Sequence, residues 1–156
     1  MKKVIGILLL GLLCYYGVRY SGHMNSGTIQ VSPPLVSIVN EWKATMNTQH
    51  LSIAPFKRIR KIVIVSDSVV DHDAAYCNKI TQVIYVSEST VKKGYWSTKA
   101  AVWHELGHYI FELEHVDAFD LMNAYSYSED IYKLGWHRLS TNYLKLCIEN
   151  EAIARY

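Results

Sequence analysis

The chain has 156 residues, enough for one domain with a real core but not for two. Half of the residues are apolar and 12 are tyrosine, which excludes a disordered chain. The formal net charge is +2, and Lys2, Lys3 and Arg19 put +3 into the first 20 residues with no acid among them, so the rest of the chain carries one net negative charge. A near-neutral body read as lacking a basic cluster argues against nucleic acid as the main partner.

Lys2 and Lys3 precede an unbroken apolar run from Val4 to Val18. As a helix that run would rise roughly 22 Å, short of the roughly 30 Å hydrocarbon core and suited to the hydrophobic region of a signal sequence. Residues 1–22 are therefore expected to be a signal anchor or a signal peptide. No good small-x-small cleavage site follows, and Leu13 before Cys14 makes a poor lipoprotein site, so an uncleaved anchor is the favoured form. The lysines keep the N-terminus in the cytoplasm and put the body outside it, periplasmic or extracellular, and secreted if the segment is cut.

Residues 23–31 read as a polar linker, and 32–156 as the domain. Ser32 before Pro33 and Pro34 starts a helix over about 33–48, with Leu35, Ile38, Val39, Trp42 and Met46 at helical spacing. The β-branched stretch 59–67 reads as a strand. Two more strands are expected about Asn78-Lys79, the second near 81–87. The stretch "TVKKGYWST" reads as a loop, with Ser97 or Thr98 capping the next helix. After His115 the chain reads as irregular through about Ser128, and a last helix is expected near 138–151. This order gives an α+β class. Cys77 and Cys147 are a candidate disulfide or two buried thiols.

The chemistry concentrates in "WHELGHYIFELEH", residues 103–115. Residues four apart on a helix lie on one side, so His104 and His108 can point two imidazoles at one ion. Glu105 beside them can reach a water on that ion. This is the H-E-x-x-H arrangement, with glutamate as general base. Trp103, Leu106, Ile110 and Leu113 form the buried stripe. Gly107, which costs the helix about 1 kcal/mol against alanine, allows another backbone to pack close.

A catalytic zinc usually takes three protein ligands and a water. His115 is the leading third ligand, with Glu114, Asp117, Asp120 and Glu129 as rivals. In one straight helix His115 would lie roughly 10 Å beyond His108, too far to share an ion. The helix is therefore expected to stop near Glu112 and the chain to turn back. With no glycine between His108 and His115, one of Glu112, Leu113 and Glu114 should take a strained backbone angle.

The stretch "HELGHYIFELEHVDAFDLMNAY" resembles the zinc-binding region of the metzincin metallopeptidases, whose pattern is H-E-x-x-H-x-x-G-x-x-H followed by a turn carrying a methionine. It departs in two respects: Phe111 stands at the glycine position, and the third histidine comes one residue late, where a strict reading falls on Glu114. In this it is similar to small bacterial and phage-encoded metallopeptidase-like proteins with six residues between the second and third histidines. The resemblance implies a small zincin-like domain with a short sheet, an active-site helix and a C-terminal helix. It implies Zn2+ held by His104, His108 and His115, Glu105 as base, Met122 as the turn methionine, and Tyr125 near the place of a tyrosine that often follows. It implies a peptide or protein substrate, extended along a strand edge near 81–87. Two other readings stand beside it: a gluzincin-like hydrolase with Glu129 as third ligand, and a metal-binding interaction module without catalysis. Of the remaining histidines, His23 lies in the linker and His50 and His137 are isolated. His72, between Asp71 and Asp73, reads as a solvated turn.

Overall fold

The computed structural model describes residues 29–71, 73–124 and 126–154. The N-terminal anchor with Cys14, most of the linker, His72 and Tyr125 lie outside them.

The class is α+β, with a small mixed four-stranded sheet and several helices. The expected linker ends in a strand, β1 (Gln30–Val31), too short for periodicity to reveal. The two prolines set a 3₁₀ turn, Pro33–Leu35, that runs into α1 (Val36–Thr48). Ser32 does not cap this helix; its Oγ accepts from Ile64 N–H at 3.2 Å and ties the helix start to the sheet. The apolar stripe foreseen for the helix, Leu35, Ile38, Val39, Trp42 and Met46, is buried.

The sheet continues with β2 (Lys61–Val65), β3 (Ala75–Asn78) and β4 (Val83–Ser87). Its order is β1-β2-β4-β3, parallel except for β3. The strand expected to offer its edge near 81–87 is therefore central, and β3 is the edge. Ile62, Ile84 and Val86 point inward and are fully buried.

The stretch read as a loop is helical. Ser87 Oγ accepts from Thr90 N–H and opens α2 (Glu88–Lys93). Gly94, at φ 134, bends the chain into α3 (Tyr95–Ile110). Ser97 and Thr98 lie inside this helix rather than before it. Its free N–H groups at Trp96 and Ser97 are received instead by the Glu129 carboxylate, at 3.0 and 2.6 Å. Glu129 itself opens α4, which runs Glu129–Ala154 and starts well before the expected 138. Glu129 and Asp130 in its first turn suit the positive end of the helix dipole, a signal the sequence reading passed over.

The three long helices meet at one hydroxyl. Trp42 Nε1–H of α1 donates to Tyr143 Oη of α4 at 3.1 Å, and Tyr143 Oη donates to the Trp103 carbonyl of α3 at 2.9 Å. All three residues are buried. Lys99, 2% exposed, adds a second tie: its Nζ meets Glu41 of α1 at 2.6 Å and lies 4.0 Å from the Trp136 ring centroid of α4. Both body cysteines are free thiols, Cys147 buried in α4 and Cys77 on β3. Tyr143→Phe would leave a buried indole N–H without its acceptor. It should lower unfolding free energy by about 1–3 kcal/mol, read by urea denaturation, with the fold retained.

Candidate metal centre

The helix that carries the motif stops at Ile110. Phe111 N–H and Leu113 N–H both donate to the Gly107 carbonyl, at 3.1 and 3.3 Å, and Glu112 between them sits at φ 54. The strained non-glycine turn that the three-histidine geometry demanded is thus at Glu112, at a cost of about 1–3 kcal/mol. The turn sends Leu113 into the core and brings His115 back beside the helix.

The three imidazoles converge through their Nε2 atoms. His104 and His108 are 2.9 Å apart, and His115 is 3.1 Å from each. Three bonds of about 2 Å to a common tetrahedral ion would put nitrogens about 3.3 Å apart, close to what is seen. Among the described residues this trio is the group of His, Cys, Asp and Glu whose ligand atoms cluster tightly enough to hold an ion.

The other ring nitrogen of each helix histidine is occupied. His104 Nδ1–H donates to the Leu121 carbonyl and His108 Nδ1–H to the Leu113 carbonyl, both at 2.6 Å. Each bond fixes the tautomer that leaves the Nε2 lone pair free for a metal. Burial lowers the His104 pKa to about 4 against the opposing pull of the Leu121 carbonyl, and burial likewise lowers that of His108. Both rings are therefore neutral at pH 7, the state that binds a cation.

The loop after His115 is held from below. Asp120 accepts from Met122 N–H at 2.9 Å, and Val116 N–H donates to the Met122 carbonyl at 3.0 Å. Met122 is fully buried. Its sulfur would lie 2.9 Å from a Cβ added at Gly107, with Tyr143 at 3.0 Å and Leu113 at 3.3 Å. Gly107 is therefore required where helix, turn and methionine loop pack together.

The rival ligands are accounted for. Asp120 is spent on the methionine turn, Glu114 and Asp117 lie outside the cluster, and Glu129 caps the start of α3, roughly 10 Å along the helix from His104. The reading with Glu129 as third ligand is thereby corrected.

Glu105 is 7% exposed, with Oε1 4.0 Å from His104 Nε2. Burial raises its pKa to about 7, partly offset by the thiol and backbone N–H of Cys77. Burial, reinforced by the Glu105 charge, pushes the Cys77 thiol up to about 12, so it stays protonated beside the carboxylate. Sequence reading did not find this neighbour, because it depends on β3 and not β4 forming the edge. A cavity of about 350 Å³ opens beside His104 and Glu105, between Ala75 and Cys77 of β3 and Leu121 and Tyr127 of the loop.

No protein-family model, curated protein or solved structure matches this chain.

His104→Ala or His108→Ala should each remove most of the bound metal at neutral pH, measured as metal per chain after dialysis, against one per chain in the unaltered protein. Glu129→Ala should keep the metal but lower stability by about 1–2 kcal/mol through loss of the cap on α3, read by denaturant titration beside the same metal assay.

Proposed function

We propose that the chain is a zinc-dependent, metzincin-like metallopeptidase held at the outer face of a membrane by its N-terminal segment. The observation that carries this reading is the convergence of three imidazole Nε2 atoms with Glu105 beside them at an open cavity. Three imidazole nitrogen donors with an open fourth position suit catalytic zinc better than a closed structural site. Zinc bound there supplies a Lewis acid for the scissile carbonyl and a water of near-neutral pKa.

The chain's own residues do the rest. His104, His108 and His115 would hold the ion, the first two rings oriented by the Leu121 and Leu113 carbonyls. Glu105, with a pKa raised to about 7, takes the proton of the attacking water and passes it to the leaving amine. The extended substrate lies along β3. Ser87 N–H donates to the Ala74 carbonyl, so by alternation Ala75 and Cys77 turn their backbone groups away from β4, toward the cavity. A peptide paired there gains main-chain hydrogen bonds while crossing the histidines.

A metal-binding module without catalysis has no use for a buried carboxylate at this place. Glu105→Gln separates the two readings. It should keep the metal and reduce hydrolysis of a mixed peptide library by at least about 100-fold, followed by mass spectrometry of the products. Undiminished cleavage in that variant would remove Glu105 from the mechanism, and no cleavage by the unaltered, metal-loaded protein would favour the module.

A further inference from the structure

One end of the sheet is a row in which Gln30, Lys61, Val83 and Asn78 lie side by side on the four strands. The described chain enters here. Arg60 belongs to the same rim, donating its N–H to the Gln82 carbonyl at 2.8 Å and accepting from Gln30 N–H at 3.1 Å. Five cations gather at this end: Lys57 and Arg58 in the 3₁₀ turn Ala54–Arg58, then Arg60, Lys61, and Lys79 in the β3–β4 turn. All are exposed, and none forms a salt bridge among the described residues. No acid occurs in residues 51–66 or 74–87. The run from Lys57 to Lys61 is thus a basic cluster that the reading of overall charge passed over.

An apolar side chain stands among these charges. Ile80 is 89% exposed at the tip of the β3–β4 turn. Asn78 Oδ1 accepts from Ile80 N–H at 3.0 Å and Thr81 N–H at 2.9 Å, which holds the tip in one shape with the isoleucine outward. A fixed, exposed isoleucine next to Lys79, on the acid-free end of the sheet that also carries Arg60 and Lys61, is a pattern suited to a bilayer surface, where the cations meet phosphate and the apolar tip enters the acyl boundary.

The sequence says where the bilayer lies. Ten residues, 19–28, separate the apolar run Val4–Val18 from Ile29. The eleven steps from Val18 to Ile29 span at most roughly 40 Å, so an anchored run keeps this end of the sheet within that reach of the membrane.

We propose that this end of the domain docks on a membrane surface rich in anionic lipid, with the five cations at the headgroup phosphates and Ile80 among them. The docking rests on the reading of the N-terminal run as a membrane anchor. It places the metal centre beside the bilayer, since Lys79 and Ile80 directly follow β3, whose Ala75 and Cys77 line the cavity together with the three histidines. The substrates it favours are peptide segments close to the membrane surface.

The test uses the full chain reconstituted into nanodiscs of phosphatidylcholine, with or without about 30 mol % phosphatidylglycerol. A photoreactive diazirine residue replaces Ile80 or, as control, Val69, which is 56% exposed beyond the opposite end of β2. Position 80 should form lipid adducts at least about 10-fold more often than position 69 in the anionic discs. That excess should vanish in phosphatidylcholine alone, at about 0.5 M salt, or when all five cations are replaced by glutamine. Equal adducts at both positions, or adducts indifferent to anionic lipid, would overturn the docking while leaving the anchor in place. A chain that stays in the aqueous fraction after detergent removal would overturn the anchor and the docking together, without touching the metal chemistry. Binding of an acidic polypeptide or nucleic acid at the patch, with no lipid adducts at position 80, would also overturn it.

Discussion

Three imidazole nitrogens can share one ion only if the chain reverses direction within a few residues of the end of α3, and much of the domain is arranged around that reversal. Glu112 takes the left-handed conformation that glycine would take without strain. The Gly107 carbonyl receives two N–H groups from the turn, and the missing Cβ at Gly107 admits Leu113, Met122 and Tyr143. The carbonyls that orient the two helix histidines, Leu113 and Leu121, belong to the segment the reversal creates. One local cost therefore sets the position of the third histidine and the tautomers of the other two. At the far end of α3, Glu129 caps the helix and closes the same segment, so the loop is tied to both ends of one helix.

The electrostatics of the centre follow from one cause acting with opposite sign on two chemistries. Burial disfavours charge. It lowers the pKa values of His104 and His108, and those two rings stay neutral with lone pairs free; it raises the pKa of Glu105, and the carboxylate becomes a better base. The thiol of Cys77 lies in the same partly buried surroundings and stays protonated, so it faces Glu105 as a donor rather than a second anion. A site of this kind needs no cationic side chain at its centre. A bound cation would stabilise the Glu105 anion and the lone pairs together.

The parts of this structure legible in the sequence are those set by period and by hard distance limits. The stripe of α1 and the one-turn spacing of His104 and His108 are periodic. The stop of α3 followed from the roughly 10 Å that a straight helix would put between His108 and His115. What was not legible depends on partners far along the chain. Nothing local marks Gln30–Val31 as a strand, because two residues carry no period and the pairing comes from β2. The start of α3 was misplaced because its cap comes from Glu129, 33 residues beyond Trp96, and not from a neighbouring serine. The start of α4 was misplaced because weak propensity in residues 126–134 is outweighed by that same glutamate, the acidic first turn and the burial of Tyr132. Strand order was out of reach altogether, and with it the identity of the edge.

The strand order has a mechanical consequence. β1, β2 and β4 run parallel, and a sheet made only of them would present β4 as its edge, directly before α2. The hairpin instead lays β3 antiparallel along β4, and the edge moves one strand outward, over the face of α3 that carries Glu105. Ala75 and Cys77 then turn their backbone groups toward the cavity, the Cys77 N–H meeting Glu105, while Tyr76 and Asn78 hold the hairpin to β4. The turn that makes this possible is the one that carries Lys79 and Ile80, so the step that builds the edge also builds the charged, apolar-tipped rim beside it. The edge, the contact of Cys77 with Glu105 and the rim are therefore consequences of one hairpin packed against one helix. A shift of β3 by one residue would flip Cys77 to the outer face and take its thiol from Glu105. The Asn78 side chain, which binds two N–H groups of the turn, fixes that register from the hairpin end, and the Ser87–Ala74 bond fixes it from the other.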